Sequence, residues 1–212
     1  METSIIALQL AYHISRERLG RRRLAERIGQ GEMVVRIELE RMRDAKLIRL
    51  LRSGAELTSE GRHHFSGCLQ NIRLVNDLKL ASLRLDAVNV GAHLSATNVP
   101  SAWVLRDEAI REGATAILLF VRTSGSWVFS HNNEPVQILN PLDVDEMEAA
   151  FPNANEKDLL MIVSGATRGQ AIGGLWRCIR TVQPRVKRDS TSFCCNQRLL
   201  SDERWDAVSH KG

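Results

Sequence analysis

Residues 21–43, RRRLAERIGQGEMVVRIELERMR, carry the side chains best suited to meeting a polyanion: seven of the 23 are arginine. A guanidinium is planar and permanently charged, and it can grip a phosphate or the O6/N7 edge of guanine through two parallel hydrogen bonds. Arg21, Arg22 and Arg23 come in a block. Arg36 and Arg43 stand seven residues apart with Glu40 between them, and Arg49 and Arg52 follow shortly after. Met33 and Val34 precede Arg36 where small polar groups are more usual near phosphate. They suit thymine methyl groups or a protein surface, as Ile37 does. The bland alternative is a solvated helix face on which Glu26, Glu38 and Glu40 neutralise the arginines.

A second chemical possibility lies in SGATRGQAIGGLW, where an apolar run gives way to a helical pattern. The start of a helix offers free N–H groups and a positive dipole end to an anion, and Thr167, Arg168 and Gly169 would add a hydroxyl, a charge and close backbone approach. The Lys-Ser/Thr ending of a phosphate-binding P-loop is absent, and so is GxGxxG spacing. Gly165, Gly169 and Gly173 recur every four residues, which equally suits a smooth packing stripe. Arg106 and Asp107 open another helical segment; they would cap it, bind a small effector or join two subunits.

Catalytic signatures are missing: there is no HExxH and no nucleophile elbow. His63, His64 and Cys68 share helical spacing but fall short of the four ligands of a structural metal site. The four cysteines form no CxxC pair. The sequence therefore predicts no enzyme, no metal and no cofactor.

Short elements must position these residues. Residues 4–19 predict a first helix, residues 21–28 a second ending at Gly29, and residues 32–45 a third with Val35, Leu39 and Met42 on its buried stripe. KLIRLL and AELT predict a hairpin around RSG, and Thr58 or Ser59 then caps a fourth helix. This is the order of a winged helix-turn-helix, with the third helix in the major groove and Arg49 and Arg52 on the wing. LQNIRLVNDLKLASL reads as a connector of helical character. From about residue 85 the pattern becomes strand, helix, strand, strand, helix, strand, the order of a ferredoxin-like unit, plus one helix. The fold class is thus α+β: a winged helix-turn-helix domain over residues 1–82, a ferredoxin-like α/β sandwich over residues 83–182, and a mostly disordered tail over residues 183–212.

Charge divides the same way. Residues 1–85 hold 16 Lys/Arg against 10 Asp/Glu, whereas residues 86–182 hold 7 against 11. A basic part would be drawn to a polyanion and an acidic part would not. No apolar run is long enough to span a membrane, and the first residues lack a signal-peptide pattern, so a cytoplasmic protein is expected.

RRRLAERIGQGEMVVRIELERMRDAKLIRLLRSGAELTSEGR resembles the winged-helix domains of archaeal transcriptional regulators, and WVLRDEAIREGATAILL resembles the C-terminal domain of an archaeal family with such a winged helix in front. The resemblance covers most of residues 1–182. It implies a transcriptional regulator that binds double-stranded DNA as a homodimer, with a C-terminal domain for dimerisation or for sensing a small effector. In that family Gly and Thr more often stand where Met33 and Val34 do. The alternatives are a winged helix that docks on protein through Met33, Val34 and Ile37, and an enzyme built on the α/β domain.

Overall fold

The computed structural model describes residues 3–95 and 99–182; the expected disordered tail lies outside them. Helix α1 (Ile5–Arg16) starts where the Ser4 hydroxyl accepts the N–H of Ala7. Helix α2 (Arg21–Ile28) ends on Gly29, whose φ of 65° is the left-handed conformation that glycine adopts without steric cost. Helix α3 (Glu32–Asp44) buries the expected Val35, Leu39 and Met42, together with Glu38. Strands β1 (Ile48–Leu51) and β2 (Gly54–Leu57) form the wing hairpin, and α4 (Ser59–Leu69) follows with Thr58 as its cap.

The expected helical connector is a strand. β3 (Ile72–Leu78) pairs antiparallel with β4 (Val88–Leu94), and an irregularity between Ile72 and Leu74 shifts the register. Four of its residues reach apolar cores on both sides: Ile72 and Val75 join one, Leu74 and Leu78 the other. Burying both faces is what a sheet strand does and a surface connector does not.

Helix α5 (Ala102–Arg111) leads to β5 (Ala116–Thr123) and β6 (Ser126–Phe129). The turn between them has positive φ at both Ser124 and Gly125, as the twist of a two-residue hairpin demands. A short α6 (Val136–Leu139), then α7 (Pro141–Ala150), β7 (Leu159–Gly165) and α8 (Arg168–Val182) complete the described chain. The five strands run in the order β3-β4-β7-β5-β6, every neighbouring pair antiparallel. The α+β class holds. The ferredoxin-like expectation needs correcting, because such a unit keeps its helices on one face of the sheet. Here Val90, Ala92, Met161 and Val163 pack toward α5 and α8, while Phe120, Leu160 and Ile162 pack toward Val136, Met147 and Phe151 of the α6–α7 side. Both faces of the central strand β7 are apolar, so both need a cover.

The first core also contains α1 to α4 and the wing, so one apolar interior runs from the arginine-rich helices to the sheet. Tyr12 of α1 meets the Trp176 ring edge-on at 5.2 Å, and its hydroxyl oxygen accepts the N–H of Val75.

On the far face, Asp143 is fully buried. Its carboxylate accepts three successive backbone N–H groups, from Ala81, Ser82 and Leu83, and the Ser82 hydroxyl. Burial pushes its pKa up, but the hydroxyl and the three N–H groups together push it further down, so it lies below its ordinary value. Asp143→Ala strands those donors and is expected to cost about 2–4 kcal/mol in urea unfolding at neutral pH. With a depressed folded pKa, this stability is complete above the ordinary carboxylate range and is lost as pH falls through the lowered value. The gap between wild type and variant should therefore narrow in acid.

Candidate nucleic-acid interface

The wing is tied to the start of α2. Ala55 donates its N–H to the Leu19 carbonyl, and Leu19 and Ala55 form an isolated bridge. Gly54, at φ 129°, allows this approach: a Cβ there would stand 2.7 Å from the Leu19 carbonyl carbon. The result is a groove of about 540 Å³ between α2, α3 and the hairpin, lined by Arg21, Arg36 and Arg52 along with Gly20, Glu40, Leu50 and Ser53.

Arg36 bonds Glu40 at 2.9 Å, one helical turn on, and Arg21 lies 3.6 Å from Glu32. Glu40 raises the already high pKa of Arg36 through its hydrogen bond and its charge. Arg52 and Arg23 meet no carboxylate among the described residues. An exposed ion pair is held weakly and exchanges readily for a phosphate.

Other predicted residues stand outside the groove. Arg22 pairs with Glu26, and Arg43 with Asp44. Arg49 lies opposite Glu56 in the hairpin and bonds it, while Glu56 also holds Arg18. Leu50, opposite Ala55, takes the groove position instead. Counting by two from the buried Ile48 would have put Leu50 on that face and Arg49 on the other. Met33 is 64 % exposed and Ile37 51 %, with Val34 exposed beside them. They form an apolar patch on the outer side of α3.

Residues 9–72, which contain the entire groove, match the family model of the CggR N-terminal DNA binding domain. The match spans under a third of the chain. Among solved structures, the hypothetical protein PH0730 from Pyrococcus horikoshii OT3 is similar at 19 % identity with a TM-score of 0.69, covering 85 % of this chain and 93 % of that one. At that identity the likeness concerns the fold. No curated protein matches the chain.

The residues expected to hold a small ligand are drawn apart. α5 and α8 pack antiparallel, with Glu108 and Glu112 on Arg177 and Gly113 beside Gln170. Arg106 and Asp107 therefore sit roughly 10 Å along the axis from the start of α8, some six or seven residues of helical rise. At that start, Thr167 and Gln170 form a reciprocal cap: the Gln170 side chain accepts from the Thr167 N–H, and the Thr167 hydroxyl accepts from the Gln170 N–H. Arg168 pairs with Asp77 at 2.5 Å. Gly169 lies against Gly29, so that a Cβ on either would stand 3.0 Å from the other's backbone. Each is engaged within the chain.

Other polar groups are buried. His93 bonds Asp158 at 2.7 Å between the Trp127 and Phe151 rings, out of reach of a substrate. Burial, with help from Glu108, pushes the Cys178 thiol up to about 12. Burial and the charges of Arg27, Arg16 and Arg168 push His13 down to about 4. A smaller cavity of about 300 Å³, unanticipated from sequence, lies between α1, α3 and α4 beside Glu38 and His64. Among the described residues no cluster of three or more His, Cys, Asp or Glu is placed to hold a metal, and no helix is long and apolar enough to cross a membrane.

Two members of the glycine stripe pack closely, Gly165 against Ala171 and Gly169 against Gly29, and the third does not. Gly173 faces only the Glu112 side chain at 3.5 Å, whereas a Cβ on Gly174 would meet the Ala114 Cβ at 2.9 Å and the Ala109 carbonyl at 3.2 Å. Gly174→Ala is expected to destabilise by about 1–3 kcal/mol through overpacking. Gly173→Ala, in the same helix, is expected to stabilise by up to about 1 kcal/mol. Thermal or urea unfolding of the two variants reads the difference.

Proposed function

We propose that this chain is a transcriptional regulator of archaeal type that binds double-stranded DNA through its winged helix. Its sheet-bearing half, from β3 onward, serves dimerisation or the sensing of a small molecule, and the protein works in the cytoplasm without cofactor or catalysis. The observation that carries this reading is the convergence of Arg21, Arg36 and Arg52 on one groove inside the segment that matches a DNA binding domain. α3 would enter the major groove, with Arg36 free to leave Glu40 for guanine or phosphate. Arg21 and Arg52 would hold the flanking backbone. A second reading, docking on another protein, draws on the exposed Met33, Val34 and Ile37.

Fluorescence anisotropy with random-sequence duplex DNA, titrated across about 50 to 200 mM salt, separates the two. Steep loss of affinity with salt is expected. Arg36→Ala and Arg52→Ala should each weaken binding and flatten the log–log salt slope by about 1. Binding absent even at low salt, with Met33→Ala and Ile37→Ala changing only protein association, would overturn DNA binding in favour of docking.

A further inference from the structure

The cavity of about 300 Å³ between α1, α3 and α4 differs from the arginine groove in its lining. Its walls are apolar: Ala7, Met42, Leu47 and Phe65. Sites for small molecules usually span roughly 300–1,000 Å³ and combine such walls with a few fixed polar groups. Two opposite charges border this cavity, Glu38 and Arg41, both from α3. Thr3 and His64, which also line it, hydrogen-bond each other at 3.0 Å.

The two charges are held very differently. Glu38 is only 9 % exposed, and its carboxylate accepts the Ser4 hydroxyl at 2.6 Å. That bond fixes it against the start of α1. Arg41 is exposed, and one of its nitrogens donates to the other carboxylate oxygen at 3.3 Å. Charge-assisted bonds of this kind are usually about 2.7–2.9 Å long. An ion pair this long and this open to solvent contributes little. Among the described residues Arg41 forms no other hydrogen bond, so the rest of its guanidinium fork is unengaged.

A ligand with a single charge fits such a pair badly. An amine approaching Glu38 meets the Arg41 charge beside it, and an acid approaching Arg41 meets Glu38. A neutral apolar molecule fills the cavity but gains nothing from either charge. A zwitterion that bears both charges on one carbon, next to an apolar side chain, matches all three features.

We propose that this cavity binds a free α-amino acid with an apolar side chain. The ligand's ammonium takes the place of Arg41 on the Glu38 carboxylate. Arg41 turns to the ligand's carboxylate, which suits the two-pronged bond of a guanidinium. The apolar side chain enters between Met42, Leu47 and Phe65. Around α3, Arg36 stands about 160° from Glu38 and about 140° from Arg41. The ligand thus sits behind the helix whose other side lines the groove. The winged helix holds a small-molecule site of its own, apart from the sheet-bearing half.

Isothermal titration calorimetry of the full chain with L-leucine and L-phenylalanine tests this. At least one of the two is expected to bind with a Kd below about 1 mM. The same side chain carrying one charge is supplied by isoamylamine and isocaproate for leucine, and by phenethylamine and hydrocinnamate for phenylalanine. Each should bind at least about tenfold more weakly, because one buried or charged group of the site loses its partner. Arg41→Gln should weaken the amino acid about tenfold and leave the amine's affinity unchanged or tighter. Glu38→Gln should weaken the amino acid as much and leave the acid's affinity unchanged or tighter. Arg41 is exposed, so its variant carries the test if Glu38→Gln fails to fold. Weaker binding than this by both amino acids, an amine or acid bound as tightly as the amino acid, or an Arg41→Gln variant that binds like wild type would overturn the site. Binding is read with no DNA present, so its failure leaves the DNA reading intact. A protein that takes the amino acid but not DNA loses the DNA reading alone.

Discussion

Helix α1 is buried on so many sides that two structures share it. Ala7, Leu8, Leu10, Ala11, Tyr12 and Ile14 are all in the interior. One flank closes the three-helix core beneath the groove, and the other meets α8 and β3 through Tyr12, Trp176 and the Val75 N–H. Without that shared helix there would be two small cores, and cores of that size are marginal. With it, α2 and α3 are held at a fixed attitude to the sheet. The helix–wing groove depends on this packing as much as on its own residues.

The parts of the molecule with purely local causes were legible in the sequence. α2, its glycine stop and the buried stripe of α3 follow from spacing alone, and Thr58 caps α4 because hydroxyls at that position satisfy a free N–H. β3 was not legible, for a definite reason. The irregularity near Arg73 adds one residue to the strand, so Ile72 and Val75 share a side although they stand three positions apart. With Leu69 and Leu78 in the same rhythm, the segment imitates a helix. The ferredoxin-like expectation failed on another non-local fact. Chain order does not say on which face of a sheet a crossover helix lands.

The candidate site divides in the same way. Arg21, Arg36 and Arg52, singled out for their charge, meet in one groove. Arg49 lies outside that groove because the pairing of hairpin residues, here with Glu56, decides its direction. Thr167, Arg168 and Gly169 have the residue types of an anion site, yet each meets a partner far away in sequence or in its own cap. Residue type alone cannot distinguish a helix start that waits for a ligand from one that another part of the chain has already covered.

That covering has a mechanical meaning. Where Gly29 faces Gly169, backbone rests on backbone, and no side chain can change rotamer to let one slide past the other. The contact acts as a stop, not a hinge. It fixes the end of α2 against the start of α8, the helix that lies on the sheet. A side chain at either position would push α2 away from α8, and the arginines of the groove with it.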